Sequence, residues 1–476
     1  MACDDLDGEG AGVGTILAEA GGGDGDAGGG GGGVSSAPRV HVAGALPGEV
    51  VRAVIQHRSQ HRAQAWASLR EITTPSPARR VPACRAFGVC GGCVLQHLDY
   101  DQQLRWKTAR VRALAAGQAA LAGVPVAACV ASPRPLGYRN RSKLVCGRSR
   151  FEGAADPLAD PLVDPLVLGA YAPRSHEVVD LAGGCRIAEA PLDDVAVTLR
   201  GLLARAGVVP YDERTFTGDL RHVVLRVNDR GQVLVILVTA RGDGSAAAMI
   251  AGALGAARPE IAGVVQNVNP SRGNAIYGAE DRPLWGQATL DDVIGGVRLR
   301  LSPRAFLQAN RDVAALAYRA IADAVAPTCA ETVVDAYAGV GGIALTLAPR
   351  ARSVLGIEEH PAAVMDASAS AALNRIRNAT FVAGDVAERL RALDRAEVVI
   401  LNPPRKGCAP AVLQQLLRLA PRTIAYLSCD PETLVRDLAW LAPRGYRARS
   451  LAPFDMLPHT PHIEVLAVID AGPPSA

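Results

Sequence analysis

Three groups of residues in this chain of 476 residues have types and spacing that could do chemistry. In CRAFGVCGGC, the thiols of Cys84, Cys90 and Cys93 are separated by five and then two residues. Thiols spaced this way suit a disulfide, a zinc ion or an iron–sulfur cluster, and spacing alone leaves the last two level. In YLSCDPETLVRDL, Cys429 closes an apolar run and directly precedes a helical pattern. Asp430 is a good N-cap there and Pro431 suits the first turn, so the thiol is expected at the positive end of a helix, where its thiolate is favoured. The third group is the glycine-rich DAYAGVGGIAL, Asp335 to Leu345, in which Gly339, Gly341 and Gly342 let the backbone turn tightly beside a ligand. The next apolar run ends in Glu358, at the spacing from which a carboxylate binds ribose hydroxyls. The loop carries no lysine and lacks the triphosphate-binding pattern, so a nucleoside cofactor fits it better.

The glycine loop, the acid ending the second apolar run and LNPPRKG together resemble a methyltransferase of the S-adenosylmethionine class, in which a nucleophilic cysteine would have a specific use. Pyrimidine C5 is too electron-poor to take a methyl group unaided, but a thiolate adding at C6 makes C5 an enolate-like nucleophile. A base must then remove the C5 proton so that the cysteine can leave. DMLPHTPHIEVLAVI offers Glu464 for that role, with Asp455 as a second candidate.

The elements that must position these residues follow from length and pattern. The length predicts two or three domains, and 49% hydrophobic residues supply sizeable cores. No apolar run is long enough to span a bilayer, and the acidic start MACDDLDGEG is unlike a signal peptide, so a cytoplasmic protein without a membrane partner is expected. Stable disulfides are disfavoured in that compartment. A net charge of +3 leaves partners open, and the preference for arginine over three lysines reads mostly as compositional drift. Short alternating stretches over the first seventy-odd residues predict a small β-barrel, split by the glycine segment AGGGDGDAGGGGGG. A second insert, ADPLADPLVDPLV, reads as a loop excursion. Between about 95 and 305 the pattern is mixed, with LRHVVLRV and QVLVILVTA as a hairpin and IAGVVQNVN as a further strand. From about 330, TVVDAY, SVLGIEE, AEVVILNP and RTIAYLSC alternate with helical stretches, which predicts an α/β, doubly wound parallel sheet with ligands at the carboxyl ends of its strands.

GALPGEVV, CRAFGVCGGCVLQHLDYDQQLRWK, YRNRSKL, FLQAN, DAYAGVGG, NPPRKG, SCDPETLVRDL and PHTPHIE, in this order along nearly the whole chain, resemble the RNA uracil-C5 methyltransferase family. The resemblance implies a Rossmann-like methyltransferase domain over 306–476, a TRAM-like (OB-like) RNA-binding β-barrel over 1–78 and a mixed α+β iron–sulfur and RNA-binding domain over 79–305. It implies S-adenosylmethionine as methyl donor, contacted by Gln308, Tyr337, Gly342, Glu358, Asp385 and Asn402, with Cys429 as nucleophile and Glu464 as base. Phe306 matches an aromatic that stacks on the extruded uracil, and Arg139 is placed at the same pocket. It also implies a [4Fe–4S] cluster on Cys84, Cys90, Cys93 and, among Cys129, Cys146 and Cys185, on Cys185. That cluster resembles the members acting on 23S ribosomal RNA, so this RNA is expected ahead of transfer RNA, and a monomer is expected. RNA contact on the barrel is expected at QHRSQHRAQAWASLR, which supplies arginines, histidines and Trp66.

Asn402 stands where many relatives have aspartate, and Asp430 where most have asparagine. The rival enzyme is an RNA cytosine-C5 methyltransferase, but NPPRKG lacks a cysteine directly after its proline. A non-catalytic RNA-binding protein with a relict cofactor site is the rival from another class, opposed by intact Cys429, Glu464 and the glycine loop.

Overall fold

A computed structural model describes residues 1–17, 38–148, 166–173, 175–243 and 245–472. The glycine segment and all but the end of the Asp-Pro-Leu repeat lie outside the described residues. The chain forms two compact units, Met1–Gly88 with Gly92–Trp106 and His459–Pro461, and Val89–Gly91 with Lys107–Pro458 and His462–Ala476.

The first unit holds Ala2–Leu6 (β1), Gly12–Thr15 (β2), Arg39–Val42 (β3), Val50–Arg58 (β4) and Gln64–Thr74 (β5), closed into a barrel in the order β1-β2-β3-β5-β4. Period-two alternation drives closure: in RVHV, Val40 and Val42 are buried while Arg39 and His41 point outward. Cys3, Val40, Val42, Ala45, Val51 and Ala65 fill the interior. Outside, Trp66 lies between His41 and His57, with ring centroids 5.4 and 5.6 Å apart.

Helix α1 (Tyr100–Ala116) leads into the second unit. Its first sheet collects Arg141–Arg148 (β6), Leu166–Tyr171 (β7), Val178–Asp180 (β8), Leu220–Val227 (β9), Val233–Thr239 (β10), Ile261–Val268 (β11) and Glu280–Gly286 (β12), in the order β12-β11-β10-β9-β6-β7-β8. The expected hairpin is the antiparallel β9–β10 pair. Ala190–Arg205 (α2) and Ser245–Ala257 (α3) accompany this sheet, and every residue of β10, VLVILVT, is buried, as befits a strand covered on both faces. A hairpin of Leu290–Ile294 (β13) and Val297–Leu301 (β14) then precedes Arg311–Val325 (α4), whose N-cap Asn310 accepts from Val313 N.

The second sheet follows the expected rhythm: Thr332–Ala336 (β15), Gly342–Leu347 (α5), Ser353–Glu358 (β16), Pro361–Leu373 (α6), Ala379–Ala383 (β17), Val386–Arg391 (α7), Val398–Leu401 (β18), Pro410–Leu419 (α8), Thr423–Ser428 (β19), Pro431–Leu441 (α9), Tyr446–Phe454 (β20) and Glu464–Ala471 (β21). Its order is β17-β16-β15-β18-β19-β21-β20, with β15 to β19 parallel and β21 antiparallel. Strand order reverses between β15 and β18, so their carboxyl ends open a crevice. Among the described residues no helix is long and apolar enough to cross a membrane.

Lys107 Nζ donates to Asp455 Oδ1 at 2.5 Å, with both side chains fully enclosed. Breaking such a pair strands a charge in the interior, so Lys107→Met should lower stability to urea by about 3–5 kcal/mol. Lys107→Met/Asp455→Leu should regain most of that loss, and equal loss in both variants would contradict a charge-based cause.

Candidate active site

The carboxyl ends of β15 to β18 form one half of the site. Tyr337 follows β15 with a φ of +70°, a left-handed conformation costly for a tyrosine, and Gly341 has a φ of +86°. A Cβ on Gly341 would lie 2.8 Å from the Phe381 ring, and one on Gly342 would lie 2.9 Å from the Tyr318 ring. Both positions therefore demand glycine for space. Glu358 buttresses this turn: Gly339 N donates to its Oε2 at 2.9 Å and His360 N to its Oε1 at 3.0 Å. Below, Asp335 Oδ2 accepts from Ala344 N at 2.9 Å, while its buried Oδ1 has no hydrogen-bond partner. Burial, assisted by the Glu358 charge, pushes the Asp335 carboxyl up to about 7. Asp385 caps α7 by accepting from Glu388 N at 3.0 Å. Asn402 follows β18, and the carbonyl of the buried Gln308 accepts from Asn140 Nδ2 at 3.0 Å.

Cys429 and Glu464 occupy the other half. The β19–β21 ladder ends at the pair Ser428–Val465, and Cys429 and Glu464 are the next residue outward on each strand. Asp430 caps α9 as expected, accepting from Thr433 N at 2.9 Å. The expectation of a favoured thiolate fails in the resting structure. Burial pushes the Cys429 thiol up to about 11, and the Glu464 charge adds to that rise. The Arg405 charge, in NPPRKG, opposes that rise without cancelling it. Glu464 is buried, its Oε1 has no hydrogen-bond partner, and desolvation lifts its carboxyl up to about 7. Asp455, the second candidate base, is committed to Lys107.

Phe306 is 59% exposed on the loop between β14 and α4, with the Arg141 guanidinium 5.7 Å from its ring centroid. Arg139 donates through Nε to Arg141 O at 3.0 Å, and its charge reaches His462. Burial and Arg405 push His462 down to about 4, which keeps it neutral. Arg405 and His462 escaped the reading of the sequence. Both lie within the motifs NPPRKG and PHTPHIE, and the thiol and carboxylate they flank were the signal.

Cys84, Cys90, Cys93 and Cys185 are all half-buried, and burial pushes the Cys185 thiol up. Among the described residues no group of three or more His, Cys, Asp or Glu side chains is gathered to hold a metal ion. Four thiols are donors of the kind that hold an iron–sulfur cluster or a zinc ion.

A doubly wound sheet thus carries a glycine turn, strand-end carboxylates, and a cysteine and a glutamate at the ends of adjacent strands. The family model for tRNA (uracil-5-)-methyltransferases matches residues 295–470. An uncharacterized RNA methyltransferase of Geobacter sulfurreducens is 39% identical over 436 residues, covering 90% of this chain and 85% of its own. One from Listeria monocytogenes is 36% identical, covering 90% and 92%. The crystal structure of Pyrococcus abyssi tRNA (uracil-54, C5)-methyltransferase in complex with S-adenosyl-L-homocysteine shares the fold. Its TM-score is 0.72 at 24% identity, and 98% and 99% of the two chains are covered. The chain belongs to the RNA uracil-5 methyltransferase family. It is an RNA methyltransferase that uses S-adenosylmethionine, and the glycine turn with Glu358 and Asp385 at successive strand ends leaves polar groups at the crevice that fit a nucleoside donor.

Proposed function

We propose that this protein methylates C5 of a uridine in 23S ribosomal RNA through a covalent bond from Cys429 Sγ to uracil C6. The observation that carries this reading is the placement of Cys429 and the buried Glu464, whose Oε1 has no hydrogen-bond partner, at the ends of adjacent strands. S-adenosylmethionine supplies an electrophilic methyl group when bound. Phe306 and Arg139 hold the extruded uracil, and Gln308, Tyr337, Gly342, Glu358, Asp385 and Asn402 line the donor's crevice. Cys429, its proton released to water, adds as the thiolate at C6; the C5–C6 electron pair moves toward the C4 carbonyl as an enolate, and C5 then takes the methyl group as the methyl–sulfur bond of the donor breaks. Glu464 then removes the C5 proton, the C5–C6 double bond re-forms and the C6–S bond breaks, freeing the cysteine.

The division at 78/79 and 305/306 belongs to the same reading, with the barrel gripping RNA through Trp66 and its neighbouring histidines and arginines. So does action as a monomer in the cytoplasm. The RNA assignment rests on the C-x5-C-G-G-C run and on Cys185 as fourth ligand of a [4Fe–4S] cluster. Anaerobically purified protein should then carry about four irons with matching labile sulfide, as clusters held by four thiolates do. Stoichiometric zinc would contradict the cluster.

Gly341→Ala brings a Cβ against Phe381 at a left-handed φ and should weaken binding of S-adenosylhomocysteine by about tenfold or more, measured by calorimetry. Unchanged affinity would remove the glycine turn from the donor site. The reading as a whole is tested by incubating unmodified 23S RNA and bulk transfer RNA with methyl-labelled donor and identifying the nucleosides by mass spectrometry. Labelled 5-methyluridine in 23S RNA is expected. Product in transfer RNA alone would overturn the RNA assignment and leave the chemistry.

A further inference from the structure

The first sheet of the second unit carries a group of cations that the chemistry above does not use. Arg141 on β6 pairs in register with Arg226 on β9, and Lys143 stands two residues along β6 on the same face. Arg139 enters the same field, and its charge and that of Arg226 both bear on Arg141 and Lys143. Four cations so close call for acids, yet among the described residues none of the four makes an ion pair. The acids nearest Arg226 are engaged elsewhere: Asp366 accepts from Ser302 N at 3.0 Å and Oγ at 2.7 Å, and Asp292 pairs with Arg311 at 3.5 Å.

The cations divide by how they are satisfied. Arg226, 3% exposed, donates through Nη2 to the carbonyls of Pro303 and Ala305, propping the loop that carries Phe306. Its role is structural. Arg141 has a buried Nε with no hydrogen-bond partner and lies against the exposed Phe306 ring. Lys143 lies over the Tyr277 ring at 5.9 Å and is exposed. Although the residue reaches solvent, partial enclosure of its amine, together with the Arg141, Arg226 and Arg139 charges, pushes it down to about 8. Charges held so close without counter-ions are stabilised when an anion arrives.

We propose that Arg141 and Lys143 form a phosphate cradle, on the floor set by Arg226, for a backbone phosphodiester of the RNA strand that carries the extruded uridine. The cradle rests on the RNA-methylating reading above and adds a positioning role to it. Phe306 takes the base while the adjacent cations hold the backbone, which fixes the register of the flipped nucleotide. Arg141 reaches the anion through a bidentate guanidinium and Lys143 as a point charge.

Each phosphate contact by a cation contributes about 0.7 to the salt slope of single-strand binding. Affinity for a short labelled oligouridylate should therefore be measured across a salt series in the full chain. Lys143→Gln and Arg141→Gln should each flatten the slope and the double variant should flatten it by about 0.7, the share of the one phosphate they hold; Lys143→Arg should keep the wild-type slope, and the exposed-site variant Arg352→Gln should leave it unchanged. A Lys143→Gln slope equal to that of Arg352→Gln would overturn the cradle, as would weaker binding with an unaltered slope. Should Arg141→Gln fail to fold, amine acylation of the wild-type chain is a second readout. RNA is expected to protect Lys143, and equal labelling with and without RNA would overturn the proposal. A flattened slope in a protein that makes no 5-methyluridine would sustain the cradle and sink the methylation reading. Methylation with unaltered slopes would do the reverse.

Discussion

Cys429→Ala is expected to reduce methyl transfer by about four orders of magnitude or more, because in the proposed mechanism the Cys429 thiolate is what turns uracil C5 into a nucleophile. Binding of RNA and of S-adenosylhomocysteine should stay within about threefold of wild type, since the alanine removes one sulfur and no charge at neutral pH. The resting thiol, pushed up to about 11, also predicts a pH dependence. With chemistry rate-limiting and Glu464 already ionised, the single-turnover rate should climb close to tenfold per pH unit between about 7.5 and 9, following the thiolate fraction. A flat profile would mean that substrate binding resets the thiol before attack. Residual activity in the alanine variant at more than about a hundredth of wild type would argue against covalent catalysis at this position.

Glu464→Gln should allow methyl transfer but block release. Attack by Cys429 and transfer to C5 need no base at this position, whereas elimination does. The expected product is a covalent protein–RNA adduct that survives denaturing electrophoresis, holds one methyl group per chain and accumulates while turnover falls by about two to four orders of magnitude. In the wild type, adduct resolution should speed up as pH rises through about 7, where Glu464 ionises. The same carboxyl affects stability. Its folded value lies above the ordinary carboxyl value of 4.5, so its favourable contribution is complete below about 4.5 and is lost as pH rises through about 7. The loss amounts to roughly 3 kcal/mol above that window. Glu464→Gln should flatten the fall in stability measured by urea denaturation between pH 5 and 8 (about those limits), and Asp335, also lifted to about 7, should account for much of the remainder. A turnover-competent glutamine variant with no adduct would assign proton removal elsewhere.

How much of this was legible in the sequence depended on the scale of the feature. The parallel sheet was, because β15, β16, β18 and β19 are apolar runs ending in polar residues, separated by amphipathic helices. Strand β17, ATFVA, was not singled out, since only Ala379 in it is buried and it sits at the sheet edge. The barrel was visible in the alternation of RVHV and its neighbours. In the site, residue types and strand ends marked Cys429, Glu464 and the glycine turn. Their protonation was not legible: whether a helix end or burial governs a thiol depends on enclosure by residues far apart in the chain, and here burial wins. Choosing between Asp455 and Glu464 likewise needed Lys107, which lies more than three hundred residues away and occupies the first of them.

The most direct test of the account is release of tritium from RNA prepared with 5-tritiated uridine, followed together with incorporation of methyl label. Methylation at C5 with Glu464 removing the C5 proton predicts one tritium released to water for each methyl group transferred, and neither event with Cys429→Ala. Methyl incorporation without tritium release would place the methyl group on another atom and contradict the covalent C5 mechanism.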